Sequence, residues 1–121
     1  MKATFTFLFT LFLAFHLSGQ TIPEKYDTPE KRSKIATEQM IEALPLSQGE
    51  IPAISRINLK YARIVQKQVI DPELNWWSAF FKMKEINSQR EAELFPLLND
   101  TQIRNFNKLK AKTRKEMMGM L

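Results

Sequence analysis

Beyond Asp27 the chain repeats apolar residues at steps of three and four, the spacing that lines one face of an α-helix. The first run is Ala36, Met40, Ala43 and Leu44, flanked by Ile35 and Ile41. Thr28 before Pro29 and Glu30 provides its start signal, and Pro45 stops it. The second run is Ile54, Ile57, Tyr61, Val65 and Val69. Its start is open by one turn: with Ser47 as cap, Pro52 removes a backbone bond just past the first turn, whereas a start at Ile51 makes Pro52 an early residue. Asp71 is then read as the cap of a third helix, opened by Pro72 and Glu73 and ended by Pro96. Its front places Trp76, Phe80 and Met83 on one side and Trp77 and Phe81 on the next, an arc wider than a single packing seam. Beyond Lys84 it is mostly polar. A fourth helix opens at about Asp100, with Ile103, Phe106, Leu109, Thr113, Met117 and Met120 as its inner face. The pattern predicts an all-α fold of about four helices in an elongated hairpin or bundle, a single domain over residues 28–121.

Two of these helix starts are related to each other. Residues 98–109, LNDTQIRNFNKL, have a degenerate copy at 46–57, LSQGEIPAISRI, in which Leu46 matches Leu98, Glu50 matches Gln102, and Ile51, Ile54 and Ile57 match Ile103, Phe106 and Leu109. In each copy a short polar side chain, Ser47 or Asn99, precedes Glu50 or Gln102 by three residues. That spacing lets the pair satisfy backbone donors left free at a helix start, a contribution of about 0.5–2 kcal/mol per cap.

Ahead of the helices, Lys2 precedes an apolar run from Ala3 to Leu17, followed by Ser18 and Gly19. This reads as a secretory signal peptide, residues 1–19, cut after Gly19, because the run is shorter than the roughly 20 apolar residues of a spanning helix. Residues 20–27, QTIPEKYD, have no period and read as a flexible leader. The expected mature chain of 102 residues holds one small domain, without disulfides since there is no Cys. The lone His, His16, falls in the signal peptide. The usual general base, thiol nucleophile and zinc ligands are therefore missing, and neither an enzyme nor a bound cofactor is expected.

Charge adds a second asymmetry. Residues 101–121 contain six basic residues, Arg104, Lys108, Lys110, Lys112, Arg114 and Lys115, against the single acid Glu116, while residues 20–100 sum to −1. One reading is a solvated face whose cations suit the C-terminal end of a helix. The other is attraction to acidic proteins, to envelope polymers or, weakly, to an anionic membrane surface; export would remove the chain from nucleic acid. The WWSAFF cluster, Trp76–Phe81, has two readings as well: ordinary core, or a surface for a partner, since aromatic residues dominate both. Met117, Met118 and Met120 offer soft ligands for Cu(I), yet Met at helical spacing suits pliable core or an adaptable contact.

A small exported helical chain with two degenerate L-T-x-x-Q motifs, each opening a helix, resembles the LTxxQ-motif periplasmic family, the Spy/CpxP-like proteins. Leu98, Asn99 and Gln102 stand in the Leu, Thr and Gln places of one motif and Leu46, Ser47 and Glu50 in those of the other. INLKYA, Ile57 to Ala62, is also similar to the segment directly after the first motif in that family. The resemblance spans about Thr37 to Met117. It implies a cradle-shaped homodimer that binds unfolded or stress-damaged envelope proteins without ATP, or alternatively an envelope stress sensor or adaptor with one regulatory partner. On either view the motif residues are structural. The expected contact residues, inferred from pattern rather than from the family, are Trp76, Trp77, Phe80, Phe81, Lys108 and Lys112.

Overall fold

The computed structural model describes residues 22–120, so the expected signal peptide lies outside the described residues. Four α-helices succeed one another: α1 (Pro29–Ala43), α2 (Ile51–Val65), α3 (Trp76–Leu94) and α4 (Asp100–Met120). No strand occurs among the described residues. The fold is all-α.

Local chemistry accounts for most of the boundaries. Thr28 has extended backbone and its hydroxyl accepts from the Lys31 N–H at 3.1 Å, with Pro29 in the first turn. Helix α2 starts at the later of the two candidate positions, Ile51, which makes Pro52 an early residue with no helical bond to lose. Past Val65 it widens into one π turn, Gln66–Ile70, closed by the Asp71 N–H on the Gln66 carbonyl at 2.8 Å. Helix α3 ends in a single 3-10 turn, Phe95–Leu97, that contains Pro96.

The start of α3 departs from expectation. Asp71 does not cap it; its carboxylate accepts from Gln66 Nε2 at 2.8 Å and belongs to the end of α2. Glu73 sits at a φ of 52°, left-handed backbone that halts any helix beginning at Pro72. The cap is Asn75, whose side chain accepts from the Ser78 N–H at 2.9 Å, so α3 begins at Trp76. Residues 22–27, from the expected leader, make contacts with the bundle. Glu24–Tyr26 form a 3-10 turn, Ile22 packs against the core, and the buried Arg32 takes the Tyr26 carbonyl at 2.9 Å and Gln66 Oε1 at 2.7 Å. A guanidinium removed from water requires such acceptors, and meeting that need fastens the leader to the bundle.

The interior divides into two apolar clusters. One gathers Ala36, Tyr61, Ala62, Val65, Val69, Ala79, Met83 and Ile86; the other gathers Met40, Leu44, Ile54, Leu94, Leu98, Phe106 and Leu109. Between the clusters' members on three consecutive helices lies a buried polar residue: Thr37 on α1, Asn58 on α2 and Arg90 on α3. Asn58 Nδ2 donates to Thr37 Oγ1 at 3.0 Å, and Arg90 Nη1 donates to Asn58 Oδ1 at 2.8 Å. Arg90 is only 2 % exposed, and burial pushes its guanidinium down to about 10, so it stays cationic at neutral pH. The order of the clusters along each helix makes α1, α2 and α3 run alternately up and down. Helix α4 begins at the Met40–Phe106 end and is tied to α3 by Lys110 Nζ on Glu91 at 2.9 Å.

Candidate functional site

Helix α3 spends its first two turns on aromatic residues, and its packing decides which of them water reaches. Ala79 and Met83 face the core, which rotates Trp77 and Phe81 outward. Those two are 64 % and 58 % exposed, far more than a large apolar side chain finds in a bundle core. Trp76 and Phe80 are half-buried on the flank between the exposed pair and the core. Each pair is stacked along the helix, Trp76 on Phe80 with centroids 5.4 Å apart and Trp77 on Phe81 at 6.3 Å. Edge contacts join the pairs across the helix, Trp76 to Trp77 at 4.5 Å and Phe80 to Phe81 at 5.4 Å. The result is a four-ring platform, with Trp77 and Phe81 in water, Trp76 half-buried and Phe80 packed against the core. The buried indole N–H of Trp76 finds no acceptor among the described residues, a cost of about 1–3 kcal/mol by the usual penalty for an unmet buried donor.

The repeat residues lie elsewhere and do structural work. At α4 the pair forms a reciprocal capping box: Asn99 Oδ1 accepts from the Gln102 N–H at 2.8 Å, and Gln102 Oε1 accepts from the Asn99 N–H at 2.9 Å. The earlier copy is only half of one. Glu50 Oε1 accepts from the Ser47 N–H at 2.8 Å and from the Ser47 hydroxyl at 3.1 Å, but Ser47 caps no helical donor. The spare capacity of that carboxylate goes across the fold: Gln102 Nε2 donates to Glu50 Oε1 at 3.2 Å. The two copies, 52 residues apart, are thereby clasped side chain to side chain. The Ser47 N–H first and the Gln102 amide second hold the Glu50 carboxyl below its usual range. Leu98 is buried and Leu46 packs against the same apolar cluster, so the leucines anchor the turns that the polar residues close.

Lys108 and Lys112 are exposed on the outer side of α4, opposite the buried Phe106, Leu109 and Thr113. The structure thus brings the four aromatic residues together on α3 and leaves the two lysines on another helix. A second carboxylate cluster had no sequence signal: Glu93 on α3 accepts from Lys60 Nζ at 2.7 Å and from the Tyr61 hydroxyl, both on α2. Lys60 and then Tyr61 hold the Glu93 carboxyl below its usual range. Asn58 and Arg90 also carry no sequence signal, since a polar residue within an apolar run reads as surface until its partner's position is known. No cluster of three or more potential metal-ligating His, Cys, Asp or Glu side chains occurs among the described residues, and no helix there is long and apolar enough to cross a membrane. Comparison with protein-family models, with curated proteins and with solved structures finds no match for the chain.

Proposed function

We propose that this is an exported, ATP-independent binding protein that holds unfolded or stress-damaged envelope proteins, working in the periplasm after loss of residues 1–19. The observation that carries the reading is the exposed Trp77–Phe81 stack on a chain that assembles both of its apolar clusters without those two rings. Large aromatic rings on rigid helix backbone present wide apolar area at little conformational cost, the property a surface needs to take up many unrelated apolar segments. The resemblance of the two clasped half-repeats to LTxxQ motifs supports the same function and adds a cradle-shaped homodimer as the working form.

The test is suppression of light scattering from reduced α-lactalbumin by the chain at near-equal molar ratio. The wild type suppresses aggregation, and the Trp77→Ala/Phe81→Ala double variant loses most of that effect while keeping its helical signal. No suppression even at large excess, or full suppression by the double variant, overturns the reading. Recovery of one stoichiometric partner from envelope extract would place the chain with sensors and adaptors instead.

A further inference from the structure

On α4, successive residues are separated by about 100° of rotation, which places Arg104, Lys108, Lys112 and Lys115 in one stripe. All four are exposed. The stripe extends about 16 Å along the helix at a rise of 1.5 Å per residue. None of the four pairs with a carboxylate among the described residues; the α4 lysine that does so is Lys110, which faces Glu91 on α3. Arg104 does donate to the Thr101 hydroxyl at 3.1 Å, within the stripe itself. The segment's single acid, Glu116, is half-buried, whereas Arg114 adds a fifth exposed cation on an adjoining face. The buried side of the same helix, Gln102, Phe106, Leu109 and Thr113, is held in the bundle, so the stripe is convex and its orientation is set by the fold.

We propose that this stripe docks the protein on an anionic phospholipid surface, leaving the aromatic platform of α3 for its own partners. Charge complementarity selects the occupant. The tightest protein interfaces centre on aromatic or arginine anchors seated in desolvated pockets, whereas this stripe is convex and offers three ammonium groups and one guanidinium around Thr101 and Ala111. A headgroup layer needs no pocket: it presents many mobile phosphates in a plane, and a straight row of outward cations meets several at once. With residues 20–100 at −1 and residues 101–121 at +5, the molecule has a charge axis that turns α4 toward such a surface before contact. The contact is electrostatic and peripheral, because the apolar side of α4 remains in the core.

The test is co-sedimentation with phosphatidylcholine vesicles, with and without phosphatidylglycerol, over a range of salt. The wild type sediments with the anionic vesicles only and is released as salt shortens the screening length. Each lysine near such a surface contributes about 1 kcal/mol, so the exposed triple variant Lys108→Gln/Lys112→Gln/Lys115→Gln binds on the order of 100-fold more weakly. The corresponding triple arginine variant keeps its binding, and circular dichroism verifies that both variants are folded. Absence of wild-type binding at low salt, binding indifferent to salt, or undiminished binding by the glutamine variant overturns the proposal. So does preference for polyglutamate over anionic vesicles, which would make the stripe a site for acidic polypeptide. The Trp77→Ala/Phe81→Ala variant retains vesicle binding, so the outcome is separate from that of client capture.

Discussion

Replacing Asn58 with leucine tests whether the polar layer between the two apolar clusters is a mutually dependent unit. Asn58 is fully buried and joins three groups: it accepts from Arg90 Nη1 at 2.8 Å and donates to Thr37 Oγ1 at 3.0 Å and to Met40 Sδ at 3.5 Å. Leucine keeps the branched shape and number of heavy atoms, with bulkier methyl groups, and has neither polar function. Loss of a bond to a charged group costs about 1.5–3 kcal/mol and loss of the neutral bond to Thr37 about 1, so Asn58→Leu should destabilise by about 3 kcal/mol. That is a large part of the roughly 5–15 kcal/mol expected of a chain this long. Most of the loss comes from the guanidinium left desolvated beside a methyl group. Adding Arg90→Met removes that charge, so the double variant should regain much of the stability and show a coupling of about 2 kcal/mol between the two sites. Urea unfolding followed by circular dichroism measures all four corners of the cycle. A single-variant cost below about 1 kcal/mol, or a double variant whose loss equals the sum of the singles, would refute the dependence of Arg90 on Asn58.

The two capping sites should respond unequally: Asn99→Ala, which opens the capping box of α4, costs about 1 kcal/mol, whereas Ser47→Ala stays within about 0.5 kcal/mol because its hydroxyl caps no helical donor; equal losses in chemical denaturation would contradict the distinction. Glu50 and Glu93 have carboxyls lowered from an ordinary value of 4.5, so their contribution to stability is complete above that value and disappears as pH falls through the lower folded-state values. Unfolding midpoints that stay flat from about pH 5 to 3, or that fall just as steeply in Glu50→Gln/Glu93→Gln, would exclude this source of acid sensitivity. Glu73→Gly relieves left-handed backbone at an exposed turn and should stabilise by about 0.5–1 kcal/mol after the extra entropy of glycine is counted, read as a rise in the urea midpoint.

Much of the helical framework is legible in the sequence because its signals are local. Thr28 with Pro29, the stop at Pro45, Pro96 before α4 and the start near Asp100 each act within a few residues, and the three-and-four spacing of Ile54, Tyr61, Val65 and Val69 is a direct consequence of helix geometry. The four aromatic residues of α3 are visible as a cluster too. Which of them face water is not, because that depends on the rotation of α3 about its axis, set by Ala79 and Met83 packing on α1 and α2 residues. The start of α3 is illegible for a related reason: Asp71 and Pro72 form a sound local start, but the π turn and its bond to Gln66 recruit Asp71 backward.

By itself the sequence determined that the chain is helical, where most helices begin and end, and that its net positive charge lies in the last one. Only the tertiary structure decided which polar residues leave water. Arg90 and Asn58 are 32 positions apart and meet only once α2 and α3 pack, and Glu50 reaches Gln102 only when the turn before α2 lies beside the start of α4. The physical reason is common to both. Helix caps and periodicity depend on neighbours along the chain, whereas desolvation and the hydrogen bonds that compensate it depend on neighbours in space.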